Sequence, residues 1–265
     1  MGAIAGTVIV LAYILGAIAA PLLAPGNPRA VTPDVLASPS AAHLFGTDEN
    51  GMDVLSRVIY AARIDLGVAG GAAILSVVLG VTLGLICGYT GGWPDLVLVR
   101  VLDVVQAFPV LILGIAFVGA TNGSLIVTAI VVGSLDSPVY ARLVRAEVLR
   151  VRETTFVMAA RALGNTPARL VRKHLLPNVV PPMMGQVPTR FATAVAVVAG
   201  LAFVGVGVQA PTPEWGEMIR LGTDDIQSGV WWPSVFPGIA IVVICLGLNL
   251  MADGLQRYWS VGTGS

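Results

Sequence analysis

Residues 156–178 read FVMAARALGNTPARLVRKHLLPN. The stretch carries Arg161, Arg169, Arg172, Lys173 and His174 and no acid, yet it lies in the middle of an oily chain. Of 265 residues, 56% are hydrophobic and only 11% charged, and the mean hydropathy is +0.86. Soluble domains carry roughly 25% charged residues, so this chain lacks the polar surface that water requires. It reads as an integral membrane protein, and the basic stretch is then a loop held outside the lipid.

Working outward, a helix needs roughly 20 apolar residues to cross the hydrocarbon core. Six segments qualify, at about 3–24, 66–88, 98–119, 124–144, 183–208 and 235–256. They are long and lack period-two alternation, which predicts an all-α membrane protein of six transmembrane helices forming one domain over 1–265. The first run, Ala3 to Ala24, has no basic n-region and exceeds a signal peptide's apolar core, so a retained helix is expected. Of the 15 basic residues, eight fall between Arg142 and Lys173, and no acid occurs between Glu153 and Glu214. The positive-inside rule places the 145–182 loop in the cytoplasm, and both termini with it. Three arginines in the 25–65 loop run mildly against this, offset by that loop's acids and length. Trp215, Trp231 and Trp232 then mark the outer interface and Trp259 the inner one.

Within the basic loop, Phe156, Ala160 and Leu163 share one helical face, and Gly164 is a natural stop. Thr166 can cap a second short helix with Pro167 at its first position, placing Ala168, Val171 and Leu175 on one side. Pro177 is expected to end it, and Pro181 and Pro182 to delay the next span. A topology-setting loop lying on anionic lipid would have this charge too. The small residues Ala159, Ala160 and Gly164 point instead to a surface that another protein approaches closely.

On these residues the chain resembles the ABC-importer permeases, whose cytoplasmic loop carries Glu-Ala-Ala, a Gly four residues after the second Ala, and a later Leu-Pro. Ala159, Ala160, Gly164, Leu176 and Pro177 match; Met158 stands where the family has Glu. Further stretches narrow the resemblance to the C-type subunit of the dipeptide/oligopeptide permeases. These are GTDENGMDVLSRVIYAARIDL (46–66), GYTGGWPD (88–95), AFP (107–109), YARLVRAEVLRVRE (140–153), GVGVQAPTPEWGEMI (205–219) and WWPSVFPGIAI (231–241). Met52 departs, where such proteins commonly carry a basic residue.

The resemblance implies a type I ABC-importer permease fold in the bacterial cytoplasmic membrane. It implies a coupling loop whose ATPase-docking residues are Ala159, Ala160, Arg161, Leu163 and Gly164. It also implies a second homologous permease, one or two ATP-binding subunits and an extracytoplasmic substrate-binding protein. Short peptides are the expected cargo, with nickel chelates, haem and glutathione as alternatives. The chain is not itself expected to be an enzyme or to hold a cofactor. A Walker A motif needs a Gly-Lys pair, and the only lysine, Lys173, follows Arg172; ATP and magnesium are assigned to the partner subunits.

Other polar groups have separate readings. Asp136 lies well inside the fourth span, lining the pathway or pairing with Arg190. Arg100 and Asp103 can pair three residues apart. Glu214, Trp215, Glu217, Asp224 and Asp225 are candidates for an outer surface meeting the binding protein or its substrate, with solvated acids as the plain alternative. Asn249 is expected to bond between helices and Asp253 to be a helix-end charge. TDENGMD (47–53) is too short for a calcium loop and reads as a turn before a helix. His43 and His174 look isolated, Cys87 and Cys245 look like packing residues, and no metal site is expected. The zero net charge gives no field for nucleic acid. A secondary transporter would need internal repeats or midplane ion ligands, and a membrane enzyme an assembled acid–base site; neither is found.

Overall fold

The computed structural model describes residues 2–121 and 124–262, with side chains as far as 259. The short junction between the third and fourth predicted spans includes Asn122 and Gly123, which lie outside the described residues. In chain order the helices are α1 (Gly2–Ile18), α2 (Ala20–Leu23), α3 (Val54–Thr90), α4 (Gly92–Ala107), α5 (Val110–Gly119), α6 (Leu125–Arg152), α7 (Thr155–Ala162) and α8 (Pro167–Leu170). A π-helical turn at Val171–Leu175 leads into α9 (Leu176–Met184), followed by α10 (Val187–Phe203), α11 (Trp215–Thr223) and α12 (Trp232–Gly262). No strand occurs among the described residues, only an isolated bridge between Thr47 and Asp53.

Three helices are long and apolar enough to cross a membrane, at Val54–Thr90, Leu125–Arg152 and Trp232–Trp259. Two bent pairs match the third and fifth predicted spans: α4 with α5, at 83°, and 167–184 with α10, at 57°. The shorter apolar α1 matches the first. The helices outrun the apolar segments. α3 begins at Val54, twelve residues before the predicted 66, because the Asp53 carboxylate accepts from the Ser56 amide at 2.8 Å and caps it. α6 continues to Arg152, so residues 145–152 of the predicted loop are helix.

The most extensive helix contact in the fold is between α3 and α6. Gly80, Gly84 and Gly88 recur every fourth residue and so share one face of α3. A Cβ added at them would lie 2.7 Å from the Tyr140 side chain, 2.6 Å from that of Val144 and 2.7 Å from that of Val148. On α6, a Cβ at Gly133 would sit 2.5 Å from the Ala72 carbonyl. Lipid tails are as apolar as leucine, so helices in a bilayer associate by close packing and dispersion rather than by hydrophobic exclusion. Small residues therefore face inward. The bulky ones face outward, with Ile4, Val8, Leu11 and Leu15 exposed on α1, and Ile239, Val242 and Leu246 on α12.

At the α3 N-terminal end, a polar cap covers the bundle. The other Asp53 oxygen holds His43 Nδ1 at 3.0 Å, and Asp34 lies 3.9 Å from the same ring, so His43 is partnered rather than isolated. Arg57 is buried, 3.3 Å from Asp48, with the Met52 thioether 2.7 Å from its Nη1. The indoles pin the cap to the helices: Trp232 donates to the Thr47 carbonyl and Trp215 to that of Val58, each at 3.0 Å.

Replacing Gly84 by Val is expected to lower stability by about 1–3 kcal/mol through overpacking, read as a lower thermal midpoint in detergent. Gly67→Ala is the control, since a Cβ there meets nothing and helix propensity improves. Equal midpoints for the two variants would rule out this helix contact.

Candidate functional site

The basic segment is mounted on the end of α6. Tyr140, Val144, Val148 and Val151 form a buried cluster with Val157, Leu175 and Val179, which seats α7 and α9 against α6. Thr154 starts α7 in extended backbone, and its hydroxyl donates to the Val151 carbonyl. Leu163 closes the helix, and Gly164 turns the chain at φ +78, a left-handed conformation that a glycine adopts freely. Asn165 Nδ2 then donates to the Ala160 carbonyl at 2.8 Å.

The inward face of α7 is Val157 and Ala160, not the predicted Phe156, Ala160 and Leu163. Phe156, Met158 and Leu163 are 46%, 49% and 85% exposed, and Ala159 and Arg161 are exposed beside them. These side chains give α7 an open apolar face.

Thr166 and Pro167 open the next helix as expected, but Pro177 does not end it. The π-helical turn widens the backbone ahead of Pro177, which then sits in the first turn of α9, where its missing N–H leaves nothing unmade. α9 runs through Pro181 and Pro182 to Met184. The same turn shifts the buried side to Leu170, Leu175 and Val179, leaving Ala168 exposed.

Arginines of the α6 end fasten it to its neighbours. Arg145 grips Asp95 of α4 with two bonds of 2.7 and 2.6 Å, and Arg152 donates to the Gly88 carbonyl at 2.8 Å. Arg142 holds Asp103 at 2.9 Å, closer than the predicted partner Arg100 at 3.9 Å. Asn249 turns back on the Cys245 carbonyl of its own helix at 2.8 Å instead of bridging helices, and Asp253 is exposed. Cys87 and Cys245 are free thiols, Cys87 buried.

Near the middle of α6, Asp136 and Arg190 of α10 meet at 3.1 Å. Ser76 of α3 donates to the second Asp136 oxygen at 2.7 Å. Both charges line a cavity of about 510 Å³ bounded by α4, α5, α6 and α10. Its wall is otherwise mostly apolar and includes Phe108 and Pro109, at the break between α4 and α5.

The five outer candidates do not share a surface. Glu214, Trp215 and Glu217 are buried, Asp225 is half-buried and Asp224 is exposed. Glu214 caps α11, accepting from the Glu217 amide at 2.7 Å, and Glu217 holds Arg220 at 2.7 and 2.6 Å. The Trp215 amide donates to Asp65 Oδ2 at 3.1 Å. That leaves Asp65 Oδ1 and Glu214 Oε1 buried without a donor. The Trp215 amide thus brings Asp65 of α3 and Glu214 at the start of α11 together. Sequence reading missed this pair because Asp65 and Glu214 lie far apart in the chain. Among the described residues no group of three or more His, Cys, Asp or Glu could hold a metal.

Residues 80–260 match the family described as binding-protein-dependent transport system inner membrane component. The chain is 41% identical over 255 residues to the dipeptide transport system permease protein DppC of Alkalihalophilus pseudofirmus, covering 96% of this chain and 84% of that one. It is 36% identical over 262 residues to the di/tripeptide transport system permease protein DppC of Pseudomonas aeruginosa, covering 96% and 86%. Among solved structures, a chain of the inward-facing MetNI methionine ABC transporter superposes with a TM-score of 0.59 at 20% identity. It covers 75% of this chain and 96% of that one. The last likeness speaks for the fold alone.

Burial pushes the Glu214 carboxyl above its ordinary range, outweighing the hydrogen bonds it accepts from the Glu217 and Gly216 amides. The folded chain therefore holds a proton that the unfolded chain releases. The resulting stability is complete below the ordinary carboxylate range and is lost as pH rises through the folded value. The thermal midpoint is expected to fall as pH rises above that range, and Glu214→Gln, which keeps its neutral form, to flatten the fall. An unchanged slope in the variant would show that Glu214 is ionised throughout.

Proposed function

The chain belongs to the binding-protein-dependent transport system inner membrane component family, and from that membership we infer that it is a permease subunit of an ABC importer for short peptides. It is a multi-pass inner membrane protein, and residues 1–265 act as a single permease domain forming half of the translocation pathway. The peptide assignment follows from the dipeptide and di/tripeptide permeases to which it is similar over nearly its full length. The termini and the α7–α9 segment face the cytoplasm, a reading supported by the concentration of arginine around them. A homologous second permease, ATP-binding subunits carrying ATP and magnesium, and an extracytoplasmic binding protein complete the assembly.

The observation that carries the mechanism is the open apolar face of α7 above a buried anchor. Ala159, Ala160, Arg161, Leu163 and Gly164 are the proposed ATPase-docking element. Ala159, Arg161 and Leu163 lie open to a partner, while Ala160 packs inward and lets α7 seat closely. Val157 and the α6 valines give that surface a stiff mount. A push on α7 is then delivered to α6, to α3 packed against it and to the cavity that α6 borders. Catalysis of ATP hydrolysis lies in the partner; this chain converts the partner's closure into helix displacement. Asp136 and Arg190 are the proposed pathway groups. Asp224 is the outer acid best placed to meet the binding protein, with Asp225 beside it; Glu214, Trp215 and Glu217 hold that region together from within.

Within this chain a Cβ at Gly164 meets nothing, so a side chain there is opposed by the backbone conformation and by a docked partner. Gly164→Asp is expected to insert normally but to lose ATP-driven peptide uptake at least tenfold, on the order of the loss of a well-packed interface contact. Uptake in membrane vesicles, with permease content measured by blot, checks this. Wild-type uptake at wild-type content would remove the docking role.

A further inference from the structure

We propose that Arg190, held by Asp136, is the contact in the translocation pathway for the carboxylate end of the passing peptide. This deepens the peptide-import reading above and rests on it. The guanidinium lines an otherwise largely apolar cavity, is 15% exposed and gives Asp136 only its Nη1. Its Nε is buried with no acceptor. A buried charged donor left unpaired is costly, and a planar carboxylate is the acceptor that a guanidinium edge fits best. α5 also begins at the cavity wall, at Val110, with no side chain capping it, so its first amides add positive potential there.

The occupant follows from this chemistry. Short peptides differ in their side chains but share a terminal carboxylate and a terminal ammonium, and of these two only the carboxylate matches a guanidinium. The volume of about 510 Å³ is in the range of small-ligand sites. Asp136 has two tasks. With the pathway empty it neutralises Arg190 in a poorly solvated wall, and Ser76 keeps its second oxygen satisfied. With a peptide present it competes for the same guanidinium and keeps the hold weak, as a conducting site must.

The test uses the complete transporter in proteoliposomes, with its binding protein loaded to saturation with either trialanine or trialanine amide. The wild type is expected to import the free acid with a kcat/KM roughly tenfold above the amide, the size of one charge-assisted contact. Arg190→Gln is expected to abolish the preference for the acid over the amide, and Arg190→Lys to restore part of it. Asp136→Asn, which leaves Arg190 uncompensated, is expected to lower both KM and kcat further for the acid than for the amide. Equal losses for both peptides in Arg190→Gln, or a preserved preference, would overturn the assignment and leave the importer reading standing. Failure of the wild type to import either peptide would overturn the peptide reading and this one with it.

Discussion

The backbone contact between α3 and α6 is the constraint on which the other parts depend. Three glycines four residues apart let the α3 backbone meet Tyr140, Val144 and Val148 with no side chain between. In lipid no solvent drives helices together, so the gain comes from many weak contacts made at short range. Those α6 residues have a second use, because they also border the cluster that seats α7 and α9. The helix in most extensive contact with α3 is thus also the one that carries α7 and α9.

This placement explains the arginines that surround the α6 end. Their charge favours the cytoplasmic side, but Arg142, Arg145 and Arg152 are also fasteners to Asp103, Asp95 and the Gly88 carbonyl. The bidentate Arg145–Asp95 pair fixes orientation as well as distance, tying α4 to α6 below the cavity. By contrast, the breaks lie where the pathway is proposed: α4 bends into α5 at Phe108–Pro109, and the chain from α9 turns into α10 at 185–186. Rigid contacts join the docking element to α6, and interrupted helices border the cavity.

The opposite end solves a different problem. The polar cap at the α3 N-terminal end buries Arg57, Asp65, Glu214 and Glu217, groups that are costly away from water unless each is paired. They are spent on internal ties: a cap for α11, an ion pair with Arg220, a bond from the Trp215 amide to Asp65 that ties α11 to α3, and Asp48 with Met52 around Arg57. Four buried acids and bases close to one another make a lid whose register is set by polar geometry in a fold otherwise packed from small apolar residues.

What the sequence by itself determined was the membrane class, the six apolar segments and the family resemblance carried by the basic loop. Hydropathy over 20 residues, arginine count and the Ala-Ala-x-x-x-Gly spacing are local properties, and local properties survive without a fold. The pairing of Asp136 with Arg190 was also open to inference, because two opposite charges in apolar runs have few other partners. Only the tertiary structure decided which face of α7 is inward, since Val157 and Phe156 are equally apolar and the choice belongs to the valines of α6. It likewise took Glu214, Trp215 and Glu217 out of the outer surface and gave His43 its aspartates. It carried the helix through Pro177, where a widened turn removed the clash that a proline ordinarily makes. Each of these depends on a neighbour distant in the chain, and burial is a relation between segments that composition and periodicity do not encode.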